Sequence, residues 1–389
     1  MSAWQHKPLG KILTQIKTGS TPPTSRPDFF GGTVPWFTPG DIGATSDLIK
    51  SSRYITEEAV KNGEAPLFAE GVLLVTCIGE IGRVGILQQP SSSNQQITAL
   101  KFCDEVDVYY AYYWFIAHQD RLGHLANQAI VPILNNERLK GAEFFYPPLP
   151  VQQRIAAILA KADRLRRLRH TAREFGDTYL QSVFLEMFGD PVKNPKGWES
   201  EAIRNVCDKV IDYRGRTPPY SDNGIPHITA SCIKGSRIDW TQCKYVSGET
   251  FASYMTRGLP EYGDVIFTTE APIGETAVVN TQERFSLAQR LVLLRTTKSR
   301  MLPHYLSMLL SHPSFLPRLR QFVTGSTVVG IRSVHLISIR IPVPPLPLQQ
   351  QFTHIVHQYE RLRAQQREAE RQAEHLFQTL LHRAFRGEL

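Results

Sequence analysis

The chain has 389 residues, 42% of them apolar, and its 44 Lys and Arg against 36 Asp and Glu give a formal net charge of +8. That length predicts two or three domains of about 150 residues each, and no run reaches the roughly 18 apolar residues of a membrane span. The opening MSAWQHKPLG lacks a cationic stretch followed by an apolar core, which predicts a cytoplasmic protein, and Cys77, Cys103, Cys207, Cys232 and Cys243 form no CxxC pair that would suggest a zinc knuckle or a disulfide framework.

Read in order, the chain repeats itself at an offset of about 195 residues. Trp4 falls on Trp198, TGSTPP (Thr18 to Pro23) on RGRTPP (Arg214 to Pro219), and VPWFTPGDI (Val34 to Ile42) on IPHITASCI (Ile225 to Ile233). EGVLLVT (Glu70 to Thr76) falls on YGDVIFT (Tyr262 to Thr268), EIGRVGIL (Glu80 to Leu87) on PIGETAVV (Pro272 to Val279), and YPPLPVQQR (Tyr146 to Arg154) on VPPLPLQQQ (Val343 to Gln351). The order is preserved throughout, so one architecture occurs twice.

Each copy opens with about 150 residues of short β-branched runs bounded by Gly and Pro, which predicts a β-rich α/β domain. Each closes with about 38 residues of helical pattern, roughly 57 Å of helix at 1.5 Å per residue. The prolines of PPLPVQQ and PPLPLQQ hold extended backbone and place the helix starts at Val151 and Leu348. In the first helix Ile155, Ile158, Ala162, Leu165, Leu168, Ala172, Phe175, Tyr179, Val183 and Met187 step by three and four. In the second, Phe352, Ile355, Tyr359, Leu362, Ala369, Ala373, Leu376, Leu380 and Ala384 do the same around Gln366. Helices of this length need a partner outside their own domain. The two stripes match in length, which predicts an antiparallel pair and a pseudo-two-fold relation between the copies.

Catalytic signatures are missing. There is no Walker A loop, GxSxG elbow or HExxH, and Gly79, Gly82 and Gly85 do not make a GxGxxG loop. Thr217-Pro218-Pro219-Tyr220 is similar to the Pro-Pro-Tyr loop of amino-methyltransferases but lacks the amide or carboxylate that would hold the target amine. No nuclease carboxylate cluster surrounds Asp28. His118 and His124 are six apart, and His354 and His357 share a helix whose sequence neighbours offer no third metal ligand, so these histidines read as solvated or hydrogen-bonded.

The duplicated domain with G-x-T-P-P near its start, the PPLPxQQ junction and the long helix after it resemble the specificity subunit of type I restriction-modification enzymes, over essentially the whole chain. The resemblance implies an α+β fold: two β-rich target-recognition domains in tandem, residues 1–150 and 198–347, joined by antiparallel coiled-coil spacer helices at 151–188 and 348–386. It implies no catalysis and no cofactor in this subunit. Two methyltransferase subunits and two restriction and translocase subunits would supply adenine methylation and cleavage with S-adenosylmethionine, ATP and Mg. The partner would be a bipartite double-stranded DNA site whose half-sites the helices hold apart. A single-chain methyltransferase or nuclease with a cryptic site, or a coiled-coil scaffold that never touches DNA, are the rival readings.

Residues common to both copies cannot discriminate two different half-sites, so readers are expected where the copies differ. Those positions are Ser25, Arg26, Asp41, Arg53 and Arg83 in the first domain and Arg214, Arg216, Lys234, Arg237 and Arg257 in the second, with Arg-to-guanine contacts the expected kind. The helices mix Arg164, Arg166, Arg167, Arg169, Arg173, Arg361, Arg363, Arg367 and Arg371 with Asp163, Glu174, Glu368, Glu370 and Glu374. Alternating charge of this kind predicts a solvated or protein-docking face, open to the methyltransferase subunits.

Overall fold

The β-branched runs LLVT and VIFT form the strands Leu73–Thr76 and Val265–Thr268, buried along their whole length in the centre of two sheets. The structure is a computed structural model and describes residues 4–127, 130–213, 217–324 and 330–389. By its contacts the chain divides into two units, one made of residues up to Arg169 together with Ala369–Leu389, the other of His170–Glu368.

In the first unit the main sheet runs Leu13–Thr18, Ile97–Phe102, Leu73–Thr76, Val84–Leu87 and Asp47–Leu48, antiparallel except for the last pair. A second sheet sets Phe30–Phe37 between Tyr54–Ile55 and Ser92–Ser93, and Gln5–Pro8 pairs with Glu143–Tyr146. The second unit repeats the plan. Its main sheet is Cys207–Asp212, Leu291–Thr296, Val265–Thr268 and Thr276–Val278; Ile225–Ile228 lies between Lys244–Val246 and Ser286–Leu287; Glu199–Ala202 pairs with Arg340–Val343. Even the irregularity recurs, since the register slips between Leu13 and Gln15 against the neighbouring strand, and again between Cys207 and Lys209. The units part company after the second sheet's central strand, where the first adds the strand Asp47–Leu48 and the second a hairpin of Ile233–Lys234 with Arg237–Ile238.

One helix in each unit is apolar on nearly every side and buried to match, Val108–Ala117 in the first and Pro303–Ser311 in the second. The junction motif explains how the long helices are attached to them. Gln152 is fully buried, accepts from the Asp107 N–H at 2.9 Å and donates to Glu105 O and Pro147 O, each at 2.8 Å. Gln349 repeats all three bonds, accepting from Leu302 N–H at 2.8 Å and donating to Arg300 O at 3.0 Å and Pro344 O at 2.7 Å. The first Gln of each QQ pair therefore clips the start of a long helix to the N-cap of the buried one.

The long helices span Leu149–Phe188 and Leu346–Ala384. They start two residues ahead of the expected Val151 and Leu348, because Pro150 and Pro347 occupy the first turn, where an absent N–H costs nothing. Within the second unit they run antiparallel: Tyr179 meets Tyr359, while Phe184 and Phe188 both meet Phe352. In the first unit Arg166 lies over the Phe377 ring at 4.2 Å and pairs with Glu374 at 3.2 Å.

The seam differs from the leucine-led stripe. In the second helix Phe352, Val356, Tyr359, Ala373, Phe377, Leu381 and Ala384 are buried and Thr353, Ile355, Arg363, Gln366, Ala369, Glu370, Glu374 and Leu380 are half-buried, whereas the expected Leu362 and Leu376 are exposed. In the first helix Ile155, Leu159, Ala162, Phe184 and Phe188 are buried while Leu165 and Leu168 are exposed and Tyr179, half exposed, packs on Tyr359; the Phe175 side chain lies outside the described residues. Arg side chains carry enough methylene to line a seam and still place their charge at its edge, so the register follows the ends of the helices rather than their leucines.

Candidate nucleic-acid interface

The turn between the central strand and the next is built identically in both units. Thr76 N–H donates to Arg83 O at 2.9 Å, Gly82 N–H donates to Thr76 O at 2.9 Å, and Arg83 N–H donates to Thr76 Oγ1 at 3.0 Å. Thr268, Gly274 and Glu275 reproduce these bonds at 2.9, 3.1 and 3.0 Å. Gly82 and Gly274 sit at φ +83° and +93°, left-handed backbone that glycine adopts without a Cβ penalty. Ile81-Gly82 and Ile273-Gly274 are thus framework, and the diverging loops around them are where two half-sites could be told apart.

In the first unit Asp41, Arg53 and Arg83 converge on one loop, and two of them are occupied in holding it. Asp41 Oδ2 accepts from the backbone N–H and the hydroxyl of Thr38, both at 2.8 Å, while Oδ1 accepts from Ser52 N–H at 2.9 Å. Burial raises its carboxyl pKa, but these hydrogen bonds outweigh burial and leave it lowered. In the second copy Cys232 fills the same capping position beneath Thr229. Arg83 pairs with Glu80 at 2.8 Å and its guanidinium donates to Ile42 O, closing the loop from below. Arg53 is exposed at the loop's rim. Ser25 and Arg26 lie on a separate exposed turn, where Arg26 is paired with Asp28 and stacked over Phe29 at 4.2 Å.

Asp41→Ala should cost the first unit about 1–2 kcal/mol, the usual worth of such a cap. Because the folded-state pKa is the lower one, that contribution is present above the unfolded value near 4 and is lost as pH falls through the folded value. Urea unfolding at pH 7 and pH 3 should show a gap between wild type and variant that narrows in acid.

In the second unit Lys234 and Arg237 are paired across the hairpin, and the Arg257 guanidinium donates to Asp212 O. Arg214 and Arg216, the remaining candidates, lie outside the described residues. Beside this region a cavity of about 280 Å³ is lined by Thr217, Tyr220, His227, Tyr254, Gln289 and Arg290, among others. His227 forms part of its wall where the first copy carries Trp36, whose indole N–H donates to Ser20 O at 3.0 Å. His227 Nδ1 lies 2.8 Å from the Ser286 hydroxyl, and its Nε2 is buried with no hydrogen-bond partner among the described residues. Burial, followed by the charge of Lys244, pulls this imidazole down to about 4, and it is neutral at pH 7. Lys244 lies 4.2 Å over the Tyr220 ring, which puts a cation and an exposed aromatic face together at the cavity mouth. None of Tyr220, His227, Tyr254, Lys244, Gln289 and Arg290 was among the residues expected from sequence, and the signal for them was the mismatch of Trp36 with His227 inside an otherwise aligned segment.

A family model described as the type I restriction modification DNA specificity domain matches the chain twice, at residues 1–174 and 195–373. The chain is similar to the type I restriction enzyme MjaIX specificity subunit of Methanocaldococcus jannaschii, 25% identical over 378 residues that cover 91% of this chain and 86% of that one. It is also similar to the solved structure of the type I restriction-modification system S subunit from M. genitalium, with a TM-score of 0.62 at 13% identity, covering 98% of this chain and 96% of the other. A chain from work on complex assembly and conformational transition of the type I R-M system matches with a TM-score of 0.59 at 19% identity over 99% and 98%. At these identities the two structures bear on the fold alone.

Proposed function

Since the chain belongs to the type I restriction-modification DNA specificity family, which matches it in two copies, we propose that it reads a bipartite double-stranded DNA target, one half-site with each recognition domain. The domains are assigned to residues 1–150 and 198–347, with spacer helices at 151–188 and 348–386. The observation that carries this reading is the divergence within identity. Sheet order, bulge, threonine-clamped turn and glutamine clip recur in both units, while the Ile42–Arg53 and Ile233–Ile238 segments that follow the same capping box fold differently. A scaffold repeated twice under different loops is what two unlike half-sites require.

Of the candidates, Arg53 in the first domain and Lys234, Arg237 and Arg257 in the second are assigned to bases or phosphates, together with Arg214, Arg216, Ser25 and Arg26. Asp41 and Arg83 are assigned to holding their loop in shape. Phosphate contacts by the basic members supply salt-sensitive affinity and base-edge contacts the choice of sequence. The chain itself performs no catalysis and holds no S-adenosylmethionine, ATP or Mg. It docks two methyltransferase subunits and two restriction and translocase subunits in the cytoplasm, the outward-facing Leu165 and Leu168 lying within the docking face. Among the described residues no helix is long and apolar enough to cross a membrane.

The test is sequencing of methylated adenines in cells that co-express the chain with its methyltransferase subunit. Wild type should yield one bipartite motif. Lys234→Ala with Arg237→Ala should relax only the second half-site, with the correct base losing about 1–3 kcal/mol of preference, roughly tenfold or more. A motif without an unspecified spacer, or relaxation of the first half-site instead, would overturn the reading.

A further inference from the structure

One cluster has the chemistry of a metal site. His304 stands at the start of the buried helix Pro303–Ser311, and His357 and Glu360 are one turn apart on the long helix Leu346–Ala384. The imidazole rings of His304 and His357 meet edge to face with centroids 4.7 Å apart. One ring nitrogen from each histidine and a carboxylate oxygen of Glu360 lie within 4.8 Å of one another. Glu360's place one turn beyond His357 is set by the helix itself, whereas His304 is brought to the pair by the packing of a second helix.

The first copy shows what this position otherwise does. The shared junction glutamines align Asp163 with Glu360 and Ala160 with His357, and the N-caps they bind, Asp107 and Leu302, align Tyr109 with His304. In the first unit Asp163 is buried and neutralised by Arg166 and Arg167, three and four residues on. In the second unit Ala364 replaces the latter arginine. The carboxylate thus keeps its place, loses one cation and gains two imidazoles. Neither imidazole has a counterpart in the other copy.

We propose that His304, His357 and Glu360 bind a borderline transition-metal dication, with Zn²⁺ the best fit. Two imidazole nitrogens and one carboxylate oxygen are ligand types this ion prefers, and water would complete the shell. In a tetrahedral site with bonds of about 2.0–2.1 Å the ligand atoms stand roughly 3.4 Å apart. His357 and Glu360 are exposed and can close that gap by side-chain rotation, while His304 is partly buried and fixed by its helix. Arg363 and Arg367 line the same groove, and their charge sets the affinity below that of a closed four-ligand site. The bound ion would tie the buried helix of the second recognition domain to the spacer helix.

The experiment is a titration of the chelator-treated full-length chain with Zn²⁺ and with Co²⁺, independent of any DNA or partner. Wild type should bind one equivalent, gain thermal stability, and give Co²⁺ d–d bands with no thiolate charge-transfer band. His357→Ala, at an exposed position where folding is not at stake, and Glu360→Gln should each weaken binding at least tenfold and abolish the thermal shift. Mg²⁺ should produce neither effect. Equal affinity in wild type and His357→Ala, or a thiolate band, would place the ion elsewhere and overturn the proposal.

Discussion

Replacing Gln349 with Ala should destabilise the second unit by about 3 kcal/mol and leave the first unit's transition in place. The side chain makes three hydrogen bonds in a site closed to water: one accepted from the Leu302 N–H and two donated to the carbonyls of Arg300 and Pro344. Truncation strands a buried N–H and removes one partner from each carbonyl, and each group left unsatisfied costs about 1–3 kcal/mol. Water entering the vacated space recovers part of the loss, which keeps the sum near the lower end. Gln152→Ala should act on the first unit to the same degree, through Asp107, Glu105 and Pro147. Because two units need not unfold together, the measurement is a urea titration followed by probes specific to each, with separate midpoints rather than one global value. If either variant moved both midpoints equally, the glutamines would not be local clips.

These two glutamines also mark how far the sequence could be read. The duplication, the element types and the long helices are legible because they rest on local pattern: β-branched runs between turns, and apolar steps of three and four. The QQ repeats were visible as a motif, but their purpose depends on a backbone N–H about 45 residues away in the chain, which no local pattern reports. The seam was displaced for a related reason. Leu165 and Leu168 look like seam residues by composition, yet the packing at each end of the helix sets the register, and the stems of Arg166 and Arg363 fill positions that leucine was expected to take. At the candidate interface, the difference between the copies at Asp41 falls on a cap, which accepts a carboxylate in one copy and a thiol in the other. The rule that readers lie where copies differ, applied at Trp36 and His227, would have found the cavity. Divergence between copies marks freedom from shared constraint, and only the packing tells which of those positions face outward.

Phe377→Ala should unfold or severely weaken the first unit, although Phe377 lies almost at the far end of the chain from that unit's strands. Its ring is fully buried, 6.2 Å from Tyr113 and covered by the Arg166 guanidinium at 4.2 Å. It shares one core with Trp114, Phe115, Ile155 and Leu159. Deleting a buried phenylalanine costs about 3–5 kcal/mol when the site cannot collapse, and here the walls are a sheet-backed aromatic helix and a second helix fixed by its glutamine clip. A domain marginal by about 5–15 kcal/mol cannot lose that much unnoticed. Residues Ala369–Leu389 therefore behave as part of the first unit's core rather than as a tail of the second, with Leu381, Ala384 and Phe385 adding to the same cluster. Two outcomes separate this from an ordinary helix-end defect. The midpoint reported by a probe among Tyr110 to Trp114 should fall sharply, whereas one near Tyr305 should stay put. Truncation after Glu368 should reproduce the first effect in full, and adding the excised segment back as a peptide should partly reverse it. A first unit that kept its stability after truncation would mean that its core closes without the second helix.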